Sequence, residues 1–323
     1  MHIVYFLYIL FSFTGYAALK DPQKLIDAHY ENPLLYGLNE DIDFKSIQKG
    51  DIDEATRHIL KDADDILSDV LKVPNRNRTF NNTLLKIDDL YNIVSKVWNL
   101  IGLINSTHPS EHIRNESNEN DLRIQVYMID LSVNEDLYQA MLAYSKLKEA
   151  QTLKGERKRF LESELSDFKR NGISLNFKKR QRLKDIQTRL SVLSIDFSNN
   201  ITSNEDTLFI NEEMIGGLPK DYKIKHLQLD RRYAINLSYP SFDPFMKYAD
   251  SDSMRKLLRF KYLNKAYREN LNILRDIIRL RNEMSEILGY PSYAAYAIEQ
   301  SMAKTPAVVW EFENSLRKSI KKK

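Results

Sequence analysis

The 323 residues carry 48 Lys and Arg against 45 Asp and Glu, a formal net charge of +3, with 42% hydrophobic and 29% charged side chains. This balance excludes an intrinsically disordered chain and gives no electrostatic ground for a nucleic-acid partner. Cysteine is absent, which excludes disulfides and thiolate metal sites, and only 9 Gly and 9 Pro interrupt the chain, which favours long helices.

The chain opens on an almost wholly apolar run from Ile3 to Phe13, followed by Gly15, Ala17 and Ala18, the small residues a signal peptidase requires. The run is shorter than the roughly 20 apolar residues of a membrane span. A cleaved secretory signal over residues 1–18 is therefore read in preference to an uncleaved anchor or a mis-assigned start, although only His2 stands in for a basic leader. The expected location is the secretory pathway or outside the cell, with the cytoplasm as the alternative. No later segment is apolar enough for a stable membrane span. Asn77, Asn81, Asn105, Asn115, Asn200 and Asn236 each stand two residues before Ser or Thr. These triplets are either surface glycosylation sites or chance products of an Asn- and Ser-rich chain.

From residue 19 to 197 the spacing of apolar residues predicts helix after helix. Ile59, Ala63, Ile66 and Val70 share a face behind Asp51, Asp53 and Glu54, acidic residues that suit a helix start. Phe80, Leu84, Ile87, Tyr91, Val94, Trp98 and Ile101 form the clearest stripe. A third segment runs through Leu122, Val126, Ile129 and Val133 to Leu137, Ala140, Tyr144 and Leu147. A shorter one spans Arg157 to Phe168, and a fifth carries Leu183, Ile186, Leu190, Leu193 and Phe197.

Residues 198–244 read as an irregular excursion. They hold Gly216-Gly217-Leu218-Pro219 and two strand-like runs, Thr207 to Ile210 and Tyr233 to Tyr239, which suggest a small hairpin. Over 245–323 helix resumes. Leu257, Phe260, Leu263, Tyr267, Leu271, Leu274 and Ile278 lead into Leu280, Met284 and Ile287, with Gly289 and Pro291 as the stop. A final helix follows Thr305-Pro306. The fold class is all-α, a multi-helix array with one small β-hairpin, and the apolar stripes are read as core.

Among six His, only His108 and His112 have metal-ligand spacing, in His108-Pro109-Ser110-Glu111-His112, an H-x-x-E-H pattern. That chemistry needs both His on one regular helix. Here Pro109 interrupts the motif, and Asn115, Ser117, Asn118 and Asn120 follow without apolar periodicity, so the stretch reads as a polar loop. The basic runs Lys178-Lys179-Arg180 with Arg182 and Lys184, and Arg275, Arg279 and Arg281, are interleaved with Asp and Glu and read as solvated helix faces. No H-E-x-x-H occurs in the 323 residues, and no catalytic, cofactor-binding or metal-binding residue is assigned.

Four runs then point to a family. They are Arg180 to Ile201 (RQRLKDIQTRLSVLSIDFSNNI), Glu212 to Tyr222 (EEMIGGLPKDY), Tyr239 to Ala266, and Asn270 to Pro306 (NLNILRDIIRLRNEMSEILGYPSYAAYAIEQSMAKTP). Together they resemble the thimet oligopeptidase, neurolysin, saccharolysin and oligopeptidase A family, most specifically after about residue 180. The helices from Asp51 to Leu147 match it only in pattern. The resemblance implies the N-terminal portion of a two-domain, channel-type zinc metalloendopeptidase that hydrolyses short peptides. It implies a missing catalytic half in which H-E-x-x-H and a later Glu hold zinc, so that no metal is expected on this chain and none of those positions has a counterpart here. The alternative is a non-catalytic helical module that binds peptides or a protein partner.

Overall fold

A computed structural model describes residues 32–36 and 41–321. The apolar leader of residues 1–18 lies outside them. Thirteen α-helices and one two-stranded sheet occur among the described residues, and no described helix is long and apolar enough to cross a membrane. The chain divides after Thr188 into two compact units.

The first unit is built from helices α1 (Asp51–Lys72), α2 (Leu85–Thr107), α3 (Glu111–Ser132), α4 (Glu135–Ser145), α5 (Lys148–Gln151) and α6 (Gly155–Arg170). In α1, Ile52, Ala55, Ile59, Ala63, Ile66 and Val70 are buried at intervals of three and four, the face a helix turns toward a core. Its N-terminus is closed from afar. The Glu116 carboxylate on α3 accepts the backbone N–H groups of Gly50 (3.0 Å) and Asp53 (3.0 Å), satisfying donors that a helix start leaves open. Gly50 reaches this position at φ +100°, a conformation that favours glycine.

A π-turn over Phe80–Leu84 leads directly into α2. Thr79 opens it with a reciprocal cap, its hydroxyl accepting from Asn82 N–H (3.2 Å) while Asn82 Oδ1 accepts from Thr79 N–H (2.8 Å). Helix α2 then buries Ile87, Leu90, Ile93, Val94, Val97, Ile101 and Ile104 against α1 and α3.

Two expectations for this unit change. The segment through Leu122 and Leu147 is two helices, not one. Asn134 Oδ1 accepts the Leu137 N–H at 2.8 Å and starts α4; the four-residue step from Val133 to Leu137 kept the apolar period across the break. The stretch after His112 is helix rather than loop. Asn115, Ser117, Asn118 and Asn120 all lie in α3, where Ser117 and Asn120 bond back to the carbonyls of Ile113 and Glu116. Such i→i−4 bonds let buried polar side chains ride inside a helix that no apolar stripe announces.

Helix α7 (Phe177–Thr202) contains the division, and the second unit continues from Arg189. Strands β1 (Thr207–Ile210) and β2 (Tyr233–Asn236) pair antiparallel, with Thr207 opposite Asn236 and Ile210 opposite Tyr233. Leu208, Ile210, Tyr233 and Ile235 point into a small core while Phe209 points out, the alternation a half-covered hairpin requires. The excursion holds more helix than its polarity suggested. Helix α8 (Lys220–His226) lies between the strands, and α9 (Tyr239–Tyr248) begins only two residues after β2. Gly216 and Gly217 are required where they stand. A Cβ on Gly217, at φ +79°, would overlap the Tyr248 carbonyl oxygen, and one on Gly216 would lie 2.7 Å from Asp250 Oδ2.

Helices α10 (Asp252–Leu263) and α11 (Tyr267–Leu288) replace the continuous helix read from the periodicity; Ala266, at φ +51°, turns the chain between them. Gly289, at φ +83°, closes α11 as expected, with Tyr290 N–H donating to the Ser285 carbonyl at 2.8 Å. Helices α12 (Tyr293–Ile298) and α13 (Pro306–Ile320) complete the described chain.

Candidate functional site

The H-x-x-E-H motif does not assemble. His108 caps the C-terminus of α2, Ser110 caps the start of α3, and only Glu111 and His112 are helical. The His108 ring accepts the Ser110 N–H on Nδ1 (3.1 Å), while His112 is exposed. In an H-x-x-E-H site the two imidazoles reach one metal from positions one turn apart on a single helix, and the Pro109 break removes that relation. Among the described residues, no three His, Cys, Asp or Glu side chains come together as a metal site requires. The donor set among the described residues therefore does not fit a catalytic zinc.

The basic runs largely meet partners. Arg180 holds Glu135 (2.9 Å) and the carbonyls of Ile173 and Leu175, and Lys184 meets Asp130 at 2.6 Å. On α11, Arg279 faces Asp276 at 3.7 Å and Arg281 lies over the Tyr293 ring.

A Ser–His pair that the sequence did not announce sits inside the second unit. His226 Nδ1 lies 2.7 Å from the Tyr222 carbonyl oxygen, an acceptor, so Nδ1 carries the proton. Nε2 then accepts the Ser241 hydroxyl at 2.9 Å. The Tyr222 hydroxyl donates to the Ser241 carbonyl at 2.6 Å, and the Tyr222 and His226 rings stack at 3.9 Å. A nucleophile needs access, and both His226 (5% exposed) and Ser241 (4%) lack it. The cluster ties α8 to the start of α9 and rigidifies the small core. Fifteen residues separate the pair, so only the fold brings them together.

In the first unit two carboxyls depart from their ordinary values: the Arg57 side chain, hydrogen-bonded to Asp53, holds that carboxyl down, and Glu164 moves the other way. Burial pushes the Glu164 carboxyl up, against the Tyr91 hydroxyl, which donates to Glu164 Oε2 at 2.8 Å. Burial likewise raises Tyr91. The contact joins α6 to α2, and its geometry is that of a structural clasp.

The largest departure from expectation lies on α10 and α11. The stripe from Leu257 to Ile278, read as core, faces water: Phe260 is 65% exposed, Leu263 68%, Tyr267 58% and Ile278 60%. The buried face of α11 runs through Ile277, Leu280 and Met284, so of the series read as core Leu280 and Met284 are buried while the part up to Ile278 is not. Both faces are apolar, and periodicity alone cannot say which one this unit covers. Between the end of α7 and the α10–α11 turn lies a cleft of about 470 Å³, lined by Phe197, Ile201, Tyr262, Leu263, Tyr267 and Leu271 among others. Asn270 closes its floor, donating to the Phe197 carbonyl (3.0 Å) and accepting from Asn200 (2.9 Å). Lys265 lines the same cleft, with its Nζ 4.3 Å from the Tyr262 ring centre; burial lowers its pKa. Trp310, Phe312, Leu316 and Ile320 on α13 are exposed as well.

Comparison with known proteins places these features. Residues 56–180 match the model for the Neurolysin/Thimet oligopeptidase N-terminal domain, and residues 245–323 match that for Peptidase family M3. The chain is 31% identical over 273 residues to a thimet-like oligopeptidase of Dictyostelium discoideum, covering 82% of this chain and 40% of the relative. It is 26% identical to oligopeptidase A of Haemophilus influenzae, over 86% of this chain and 43% of that one. It is 25% identical to saccharolysin of Saccharomyces cerevisiae, over 85% and 40%. The chain thus spans about two fifths of the length of the curated relatives it matches. On these matches, which flank and include the α10–α11 stripe, the chain belongs to peptidase family M3.

Proposed function

We propose that this chain is the helical N-terminal portion of a zinc-dependent endopeptidase that hydrolyses short peptides, and that zinc binding and water activation belong to polypeptide beyond the 323 residues. The observation that carries the proposal is the exposed stripe from Leu257 to Ile278, set in the segment that matches the peptidase model. An apolar face of that length is ordinarily covered, and the relatives are more than twice as long as the aligned region. Among the described residues no donor set for zinc comes together, and on this reading the chain alone does not cleave peptides.

Two measurements test this. Translating the nucleotides downstream should show an open frame with H-E-x-x-H; a continuing frame without that motif overturns the reading. Incubating the purified chain with zinc and a quenched fluorescent peptide should give no cleavage. Chelator-sensitive cleavage would contradict it and return attention to His108 and His112.

A second reading, a non-catalytic peptide-binding module, rests on the cleft between α7 and the α10–α11 turn. Metal-independent binding of short apolar peptides, abolished by Leu271→Asp, would favour it.

A further inference from the structure

The six Asn-x-Ser/Thr triplets are not equivalent in the fold. Transfer of an N-linked oligosaccharide requires the Asn amide and the hydroxyl two residues on to be presented together. The amide nitrogen bonds to the anomeric carbon of an oligosaccharide carried on a lipid diphosphate. The carbon–oxygen bond to the diphosphate breaks, the diphosphate leaves with the electron pair, and the amide gives up one proton.

In the folded helix, residues i and i+2 point about 200° apart, so their side chains are not presented together. Four triplets are caught this way: Asn81 in the π-turn, Asn105 in α2, Asn115 in α3 and Asn200 in α7. Their side chains are also committed. Thr83 and Ser117, the hydroxyl partners of Asn81 and Asn115, are fully buried. The amide nitrogens of Asn105 and Asn200 donate to Asn118 Oδ1 and Asn270 Oδ1, each at 2.9 Å. The Asn200 bond belongs to the floor of the cleft.

The remaining two are different. Asn77 ends a single 3-10 turn, and Thr79 follows in extended backbone; both side chains are exposed, although the Thr79 hydroxyl also accepts the Asn82 N–H at 3.2 Å. Asn236 ends β2, and its Oδ1 accepts both the N–H (3.0 Å) and the hydroxyl (2.6 Å) of Ser238. This turn brings the amide and the hydroxyl together on the surface, with Asn236 and Ser238 both exposed. The amide nitrogens of Asn77 and Asn236 donate to no group among the described residues.

We propose that Asn77 and Asn236 are the N-glycan acceptors of this chain, one on each unit, and that Asn105 and Asn200 stay bare. The proposal rests on the reading of residues 1–18 as a secretory leader, and the test separates the two. Insect cells would express the full chain behind its own N-terminus and, in parallel, residues 19–323 behind an established leader. Soluble cellular and secreted protein would be deglycosylated with peptide-N-glycosidase in heavy-oxygen water, and labelled Asp located by mass spectrometry. The expected result is label at residues 77 and 236 and none at 105 or 200. N77Q together with N236Q should remove both glycan mass steps and leave the helical circular dichroism unchanged. Label absent from both 77 and 236, or present at 105 or 200 in protein of native helicity, overturns the proposal. Label at 77 and 236 behind the foreign leader but not behind the native N-terminus upholds the acceptors and rejects the leader.

Discussion

Helices α2 and α11 carry apolar residues at the same intervals, yet they end in different surroundings. Along α2 the stripe of Ile87, Leu90, Val94, Val97 and Ile101 is closed on by α1 and α3 until almost nothing of it meets water. Along α11 the stripe of Tyr267, Leu271, Leu274 and Ile278 meets water along its length, and a different face is buried. The first unit covers this stripe with its own helices. The second carries apolar surface that its own helices do not cover, and a periodic pattern alone does not distinguish the two cases.

The comparison is sharpened most by cutting into the closed side. Leu90→Ala removes a fully buried side chain from α2 and should cost about 2–5 kcal/mol of stability, read as a fall in the urea midpoint. A cost below about 1 kcal/mol would show that the first unit is looser than its burial indicates. Next in size is Gly217→Ala, which places a Cβ into the Tyr248 carbonyl at positive φ and should cost about 2 kcal/mol or more. A neutral outcome would mean that the hairpin core moves freely.

A smaller effect is set by pH. Because the folded Glu164 carboxyl titrates above its ordinary value, its contribution is fully present below about pH 4, where it is protonated in both states. That contribution is lost as pH rises through the folded value, since the native state then must ionise a buried group. Glu164→Gln should therefore raise the melting temperature at pH 7, with the gap closing on acidification toward pH 4. A gap independent of pH would show that packing, not charge, is responsible.

The smallest change in stability belongs to the open side. Replacing Phe260, Leu263 and Leu271 together by Gln should leave the urea midpoint within about 0.5 kcal/mol per site while lowering the binding of a hydrophobic dye. A large loss of stability would mean that this face is core after all, and would dissolve the contrast between the units.

How far the sequence could be read follows from the same contrast. Helix positions were legible wherever one face is apolar and the other polar, as in α1 and α2. The hairpin was legible from the alternation at Thr207–Ile210 and Tyr233–Asn236, and the end of α11 from Gly289. The second half of α3 was legible from Leu122, Val126 and Ile129, but its first half was not, because Ser117 and Asn120 fill buried positions by bonding to their own helix. Ala266 hid the α10–α11 turn, since nothing about an alanine announces positive φ. The Ser241–His226 contact and the Asn200–Asn270 floor of the cleft depend on tertiary placement that no local pattern encodes. The family was legible from the Asn270 to Pro306 run, whereas the failure of His108 and His112 to come together is a fact of three-dimensional arrangement.

The carboxylate of Glu116, which closes the start of α1, lies sixty-six residues downstream of Gly50. Until that part of the chain exists, the open N–H groups of the first turn of α1 have water in place of the Glu116 carboxylate. During synthesis, α1 emerges well before its own cap. The start of the first helix is thus secured by the third, and closing that long loop carries an entropic cost that a local cap would not. The first turn of α1 is therefore complete only when α3 is in place.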